Sequence, residues 1–349
     1  MRTFDYSILP ATLQSNEIVS LLLVLREYKG KQGLWQNTSP DALDALVQVA
    51  KAQSTESSNR IEGIVTTEKR LKELMAQKVS PKNRDEREIA GYRDVLNLIH
   101  ESYEGIQLAP NVILQLHRDL MAHTGLEMGG RWKDSDNVIV ARDAHGNTYV
   151  RFRPMPALLT PGAVEQLCET YHQALSIERY DPLLLTMRFI FDFVSIHPFG
   201  DGNGRMSRLL TVLATERVGY TVARFISLEK LIERNKQLYY EVLAESSQGW
   251  ETGENDEAPF VRFMLGIMIA AYRDLEDRMN DASSGQTKAE RVRSVFNRRL
   301  GNVSKAMILE ECPDISESTV EAALRGLLEE GFIRKIGRGR NTSYVRLNW

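Results

Sequence analysis

The chain has 349 residues, of which 42% are hydrophobic and 26% are charged, and its formal net charge at pH 7 is −3. This composition is typical of a globular protein long enough for two or three domains, and it excludes a strong overall attraction to nucleic acid or to a membrane surface. The two cysteines, Cys168 and Cys312, are too few for a disulfide framework and indicate a reducing compartment. Since the N-terminus also lacks a signal-peptide pattern, we expect a cytoplasmic protein with no membrane partner.

Helical patterns dominate the first part of the chain. Capping residues and apolar residues at three- and four-residue intervals predict helices at 15–30, 39–63, 66–78, 83–105 and 109–125. The second of these begins with Ser39 at the cap position and Pro40 at the first helical position. The pattern changes at 137–154, where β-branched and aromatic residues surround the sequence HGN and predict a β-hairpin.

Helices resume after the hairpin, with further patterns at 162–175, 182–197, 204–219 and 229–246. The segment 182–197 is almost wholly apolar, which predicts a buried central helix. Small polar residues at 280–290 predict a linker. Beyond it the composition changes, because residues 286–349 hold 12 basic and 8 acidic side chains although the whole chain is acidic.

The sequence SIHPFGDGNGRMSRLL, at 195–210, has the features of a phosphate-binding loop. Gly202 and Gly204 would let the backbone approach a phosphate closely. The helix that follows offers unpaired N–H groups and a dipole that favour an anion. Arg205 and Arg208 lie three residues apart on that helix and can bind charged oxygens at two points.

Two side chains beside this loop point to chemistry. Asp201 has the wrong charge for a phosphate unless a divalent cation intervenes, and Mg²⁺ held by one carboxylate and substrate phosphates is the usual arrangement. His197 ends the apolar helix, and a lone histidine in such a place is more often a capping or core group. At the edge of a phosphate site it could instead accept a proton from a hydroxyl that attacks phosphorus.

The segment HPFGDGNGRMSR, at 197–208, resembles the signature of Fic-domain proteins, H-x-F-x-[DE]-G-N-G-R-x-x-R, at every defined position. The resemblance covers roughly residues 90–275 and implies a mainly α fold, a Fic-type helical core with a β-hairpin flap at 137–153. It also implies an enzyme, a protein adenylyltransferase that transfers AMP from ATP to a Tyr, Ser or Thr hydroxyl of a target protein. The target would be another protein or the chain itself.

The resemblance further implies a role for each matching residue. His197 would be the catalytic base, Asp201 would hold Mg²⁺, and Arg205 and Arg208 would bind the β- and γ-phosphates. Tyr239 would stack on the adenine or bond the ribose, although a tyrosine pair in a helix is otherwise a core feature. The residues implied to contact ATP are Gly202, Asn203, Gly204, Arg205, Met206, Ser207, Arg208, Tyr239 and, on the flap, Tyr149, Val150, Arg151 and Phe152.

An inhibitory motif of the same family resembles the end of the second predicted helix. Ser58, Glu62 and Gly63 match [ST]-x-x-x-E-[GN]. Without the Fic signature, the segment would be an ordinary helix end with a C-terminal glycine. With it, the resemblance implies that Glu62 pairs with Arg208 and displaces the phosphates of ATP. We therefore predict that Glu62→Gly raises AMP transfer and that His197→Ala abolishes it.

Residues 286–349 resemble a winged helix-turn-helix domain, with three helical patterns followed by two strand patterns. Ser316 is predicted to cap the third helix, and 337–341 to form the tip of the wing. Basic residues in this wing suit contacts with DNA phosphates: Arg334, Lys335, Arg338, Arg340 and Arg346. The third helix would be the recognition helix of such a domain. Its acidic residues favour protein contacts or dimerisation instead: Glu317, Glu321, Glu329 and Glu330.

The predicted domains are an N-terminal helical region at 1–88 with the inhibitory motif at 58–63, a Fic core at 89–275, and the winged-helix domain at 286–349. Two alternatives to the adenylyltransferase remain. One is a nucleotide-sensing DNA-binding regulator, and the other is a hydrolase that removes AMP at the same site. The expected partners are ATP, a protein target, a second copy in a homodimer, and DNA or protein at the winged-helix domain.

Overall fold

A computed structural model describes residues 2–38, 40–125, 129–142, 148–283, 287–298, 301–337, 339 and 342–347, and no side chains are described at 36–38, 40–42, 141–142, 281–283 and 298. Several sequence predictions lie outside the described residues: the cap at Ser39, the turn of the hairpin, and the wing residues Arg338 and Arg340. Among the described residues, none of the helices combines the length and apolar character needed to cross a membrane.

Five helices precede the hairpin: α1 (Asn16–Thr38), α2 (Pro40–Ile61), α3 (Glu68–Met75), α4 (Arg84–Ser102) and α5 (Pro110–Met121). The predicted end of α1 at Gly30 is wrong. Its last turns are held by tertiary contacts, since Tyr28 stacks on Tyr272 at 5.2 Å and the Gln32 amide donates to Gly219 O at 2.8 Å. Such contacts outweigh the cost of about 1 kcal/mol that glycine imposes on a helix interior.

The predicted hairpin is present as two antiparallel strands, β1 (Ile139–Arg142) and β2 (Thr148–Phe152). The next three helices are α6 (Thr160–Ile177), α7 (Pro182–Ile196) and α8 (Asn203–Arg217). All residues of α7 from Leu183 to Ile196 except Val194 are buried, which confirms the prediction of a central helix. The glycine loop joins α7 to α8.

Three more helices complete this part of the chain: α9 (Leu228–Arg234), α10 (Lys236–Ser246) and α11 (Ala258–Ser283). The prediction of a single helix at 229–246 is wrong because the backbone leaves the helical region at Asn235, with φ −114° and ψ 28°. The Asn235 side chain donates to Leu231 O at 2.8 Å and so competes with the helical hydrogen bonds. The predicted linker at 280–290 begins too early, since α11 continues to Ser283.

One hydrophobic core joins α1, α2 and the helices from α4 to α11, whereas Leu71 and Leu74 of α3 form a small separate cluster with Ile89 of α4. The core contains residues from Phe4 to Met279, with α7 and α8 at its centre. Ile18 and Leu25 of α1 and Leu46 of α2 belong to this core, so the segments on both sides of the predicted boundary at residue 88 fold together. Ile61, which lies within the predicted inhibitory motif, belongs to the same core.

The C-terminal residues form a second, separate core that includes Val295, Val320 and Leu324. Their elements are α12 (Lys288–Arg298), β3 (Val303–Ser304), α13 (Lys305–Glu311), α14 (Glu317–Glu329), β4 (Ile333–Ile336) and β5 (Ser343–Arg346), with the sheet order β3-β5-β4. The hydroxyl of Ser316 accepts a hydrogen bond from Thr319 N, which confirms the predicted cap of α14. The winged-helix assignment stays a prediction.

Candidate active site

The loop between α7 and α8 is held in shape by its own residues. His197 ends α7 in the left-handed region, with φ 53° and ψ 59°, and Gly202 has φ 81°. The Asn203 amide accepts from Phe199 N at 2.9 Å and donates to Phe199 O at 2.7 Å. Because the side-chain amide of Asn203 makes these two hydrogen bonds within the loop, only its backbone would make the predicted contact with ATP.

A second histidine, which the sequence analysis missed, supports the loop from α5. The ring of His117 stacks on Phe199 with centroids 3.7 Å apart. Its Nδ1 accepts from Gly130 N at 3.1 Å, so Nε2 carries the proton and donates to Asp201 O at 3.0 Å. Burial lowers the pKa of His117 to about 4, which keeps the ring neutral at pH 7. The only sequence signal was a lone histidine on the apolar face of a helix.

The predicted base, His197, lies at the edge of two cavities. Its Nδ1 is 3.4 Å from Val194 O, and since a carbonyl can only accept, Nδ1 is the protonated nitrogen and Nε2 has a free lone pair. Burial, followed by the charge of Lys133, lowers the pKa of His197 to about 4. The Lys133 ammonium is itself buried and donates to Ile196 O at 3.1 Å. A neutral imidazole that can accept a proton is therefore present at pH 7.

Glu62 lines two cavities. The first, of about 380 Å³, is bounded by Asp201, Arg84 and Glu88 together with the glycine loop. The second, of about 570 Å³, is bounded by the start of α8, the hairpin and α10. Four residues line both cavities: Glu62, His197, Asn203 and Gly204.

The structure brings the inhibitory motif and the signature together through Arg208, which is buried. Arg208 Nε donates to Ser58 Oγ, and Nη2 donates to Ser58 O and to Glu62 Oε1, each at 2.8 Å. Burial lowers the pKa of Arg208, but the Glu62 carboxylate, together with Tyr239 and Tyr92, more than offsets this effect, and the net change is a rise. Gly63 has φ 82° and lets the chain turn directly after Glu62.

Asp201 and Arg205 lie at the first cavity. The Asp201 side chain is 40% exposed and accepts from Gly202 N at 2.6 Å, whereas Arg205 is buried with Nη1 2.7 Å from Glu88 Oε2. Among the described residues, no group of three or more His, Cys, Asp or Glu is placed to hold a metal ion. A single accessible carboxylate beside a glycine loop does fit Mg²⁺, which keeps most of its ligands as water and phosphate oxygen.

The predicted ATP contacts of the hairpin are spread over both of its faces. Tyr149 and Val150 are exposed, and Phe152 packs edge-on against Trp250 with centroids 5.9 Å apart. Arg151 lines the second cavity, with its guanidinium 6.0 Å from the ring of Tyr240. Of these four residues, Arg151 is therefore the one that reaches the site.

Three other predicted contacts lie near the start of α8. Ser207 and Tyr239 line the second cavity, and both are buried. Met206 has no exposed surface, and its backbone N–H bonds to Gly202 O at 2.8 Å, so neither group faces a cavity. Met206 packs the helix rather than contacting a nucleotide, since its long apolar side chain points into the core.

The acidic residues of the C-terminal unit are partly neutralised by neighbours. Lys305 bonds both Glu317 and Glu321, at 2.7 and 2.8 Å. Arg334 and Lys335 are exposed on β4. DNA contact by this unit stays a prediction.

Comparisons with known proteins agree with this geometry. Residues 107–215 match the sequence model of the Fic/DOC family. The protein adenylyltransferase Fic of Drosophila yakuba is 29% identical over 255 residues, which are 69% of this chain and 46% of that protein. The corresponding protein of Aedes aegypti is 28% identical over 155 residues, 44% of this chain and 26% of that protein. The chain thus matches less than half of the length of these curated relatives.

Solved structures show the same fold. A Fic family protein from Desulfovibrio desulfuricans has a TM-score of 0.62 at 21% identity, with 96% of this chain and 97% of that chain covered. A Fic domain-containing signaling protein from Bacteroides thetaiotaomicron has the same score at 22% identity, with 76% and 98% covered. The mainly helical fold with a β-hairpin is confirmed, and residues 107–215 of this chain are similar to the Fic/DOC family.

Proposed function

We propose that the chain is a protein adenylyltransferase that transfers AMP from ATP to a Tyr, Ser or Thr hydroxyl of a protein. The observation that carries the proposal is His197, a neutral imidazole with a free Nε2 directly beside the glycine loop and Arg208. The names of the curated relatives support the same reaction. The second cavity offers the aromatic wall of Tyr239 and Tyr240 for a nucleobase.

In this reaction, His197 Nε2 accepts the proton of the target hydroxyl while its oxygen attacks the α-phosphorus of ATP. A new oxygen–phosphorus bond forms, and the bond from the α-phosphorus to the bridging oxygen breaks, so that pyrophosphate leaves. Asp201 would hold Mg²⁺, which neutralises phosphate charge when it is bound. The N–H groups at the start of α8 and the charge of Arg208 stabilise the phosphate oxygens.

We also propose that Glu62 inhibits this reaction. The guanidinium of Arg208 is paired with the Glu62 carboxylate and hydrogen-bonded to Ser58. A γ-phosphate must therefore displace the carboxylate before it can bind the same guanidinium. Arg208 is buried, whereas the Glu62 side chain is 33% exposed, so loss of this partner costs less than the roughly 3–5 kcal/mol typical of a fully buried pair. The inhibited arrangement is therefore stable until a change in α2 withdraws Glu62.

The test is label transfer to protein from α-labelled ATP with Mg²⁺, for the wild type, Glu62→Gly and Glu62→Gln. Both substitutions should raise transfer, and His197→Ala introduced into Glu62→Gly should abolish it. Glu56→Gln is the matched control, because Glu56 lies on the same helix but bonds Arg60 rather than Arg208. Equal transfer by Glu62→Gly and the wild type would contradict the inhibition, and transfer that survives His197→Ala would contradict the role of the base.

A further inference from the structure

Four charged side chains of alternating sign form a closed ring at the first cavity. Asp201 Oδ2 lies 3.2 Å from Arg84 Nη2, and Arg84 Nε lies 2.6 Å from Glu88 Oε1. Glu88 Oε2 lies 2.7 Å from Arg205 Nη1, and Arg205 Nη2 lies 3.7 Å from Asp201 Oδ1. Each carboxylate thus faces two guanidinium groups, and the ring carries no net charge.

The two halves of the ring differ in burial. The Glu88 and Arg205 side chains are 4% and 1% exposed, so this pair is fixed inside the protein. The Arg84 and Asp201 side chains are 66% and 40% exposed, and such a pair is held by little energy. Arg84 is also the first residue of α4, whose N-terminus is capped by Asn83, so its backbone is anchored while its long side chain can turn.

A cation bound to Asp201 would change the charge balance of this ring. The carboxylate would then be shared with a dication, and the guanidinium of Arg84 would lose its partner at Asp201. Glu88 alone cannot neutralise both Arg84 and Arg205, so the first cavity would gain net positive charge. An anion of the phosphate class would therefore be attracted to the cavity more strongly when the cation is present.

We propose that Arg84 is a phosphate-binding residue for the leaving pyrophosphate part of the nucleotide, and that in the resting protein it covers Asp201. Arg84 exchanges the Asp201 carboxylate for a β- or γ-phosphate oxygen when the cation and the nucleotide bind. The inference rests on the proposed function, and it adds a residue from outside the glycine loop and its signature.

The test measures binding, not transfer, with Mn²⁺ as a spectroscopic probe in place of Mg²⁺. For Arg84→Ala, we expect two effects of opposite sign. Mn²⁺ alone should bind about threefold more tightly, because its competitor at Asp201 is gone. ADP in the presence of Mn²⁺ should bind about tenfold more weakly, because a charged hydrogen bond to phosphate is lost, while AMP binding should not change.

Two further variants make the result specific. Arg84→Lys keeps the charge and should bind ADP within about threefold of the wild type. Arg87→Ala removes an exposed arginine three residues further along α4 and should change none of the affinities. A loss of structure in Arg84→Ala would weaken Mn²⁺ and AMP as well, and the unchanged AMP affinity separates the two explanations.

The proposal is overturned if Arg84→Ala matches Arg87→Ala, if ADP binding is unaffected, or if the wild type binds neither ADP nor inorganic pyrophosphate with Mn²⁺. Failure of the proposed function would look different. A chain that binds ADP through Arg84 but transfers no AMP to protein would contradict the adenylyltransferase and leave the assignment of Arg84 standing.

Discussion

Glu62 occupies the space that a side chain on Gly204 would need. A Cβ at position 204 would overlap Glu62 Oε1 and would lie 3.0 Å from Glu62 Cδ and 3.3 Å from Arg208 Nη1. Gly204 lies inside α8 and has ordinary helical geometry, so the glycine is required by this close approach and not by its backbone conformation. The same gap is where a phosphate would meet the N–H groups of the helix.

Gly204→Ala should therefore destabilise the protein, but only while Glu62 is present. In the wild-type background we expect a loss of about 1–3 kcal/mol in the free energy of unfolding, which is typical of an overpacked site. In the Glu62→Gly background the loss should be much smaller, since the clashing carboxylate is gone. Urea unfolding of the two single variants and the double variant gives the coupling energy.

Gly162→Ala is the control for this cycle, because a Cβ at Gly162 of α6 meets no atom within 4 Å. It should leave stability unchanged or raise it, in both backgrounds. Equal losses for Gly204→Ala with and without Glu62 would show that the two residues are not in contact.

Ser58→Ala should weaken the hold of α2 on Arg208. The substitution leaves Arg208 Nε as a buried donor without its acceptor, which costs about 1–3 kcal/mol. We expect lower thermal stability together with AMP transfer above that of the wild type, since the guanidinium is then freer to turn to a phosphate. Ser57→Ala is the matched control, because Ser57 is equally buried on α2. Similar transfer by the two serine variants would contradict the role given to Ser58.

The pH dependence of AMP transfer should reflect the low pKa of His197. A base must be neutral to accept a proton, and burial lowers the pKa of His197 to about 4 instead of the usual value near 6.5. In Glu62→Gly, kcat/KM should therefore stay level from pH 7 to about pH 5 and fall about tenfold per unit below pH 4. An acid limb centred near pH 6.5 would mean that the imidazole is not held neutral by its surroundings.

His117→Phe should loosen the loop while keeping the aromatic stack on Phe199. Gly130 N–H and Asp201 C=O would lose their partner, and we expect unfolding to be easier by about 1–3 kcal/mol at pH 7. The pKa of His117 is lower in the folded than in the unfolded chain, so its contribution to stability is full above about pH 6.5 and is lost as the pH falls towards 4. The difference between variant and wild type should shrink over that interval. A constant difference would contradict the buried neutral imidazole.

The sequence predicted those parts of the site whose residues lie close together along the chain or within a short motif. Asp201 to Arg208 lie on one loop and one helix, and the pairing of Glu62 with Arg208 followed from two short motifs. His117 and Glu88 were missed because they reach the loop from α5 and α4, where only the packing of helices brings them near. The sequence around them resembles any amphipathic helix.

Boundaries that depend on tertiary contacts were also missed. The glycine at position 30 suggested a helix end, but contacts on both sides of it, of Tyr28 with Tyr272 and of Gln32 with Gly219, stabilise the helix beyond it. At Asn235 the error is the opposite one. The helical pattern of apolar residues is continuous, but a side-chain hydrogen bond of Asn235 ends α9. Helix propensity could not predict either boundary, because each depends on specific contacts of the folded chain.

The two cavities beside the glycine loop limit where the parts of a nucleotide could bind. A nucleoside would fill the larger space near Tyr239, which Arg208 also lines, and the phosphates would extend from there towards Asp201 in the smaller one. The phosphate chain would then pass Gly204, beside which the Glu62 carboxylate lies. Withdrawal of Glu62 would therefore join the two cavities into one continuous binding site across the bond to be broken.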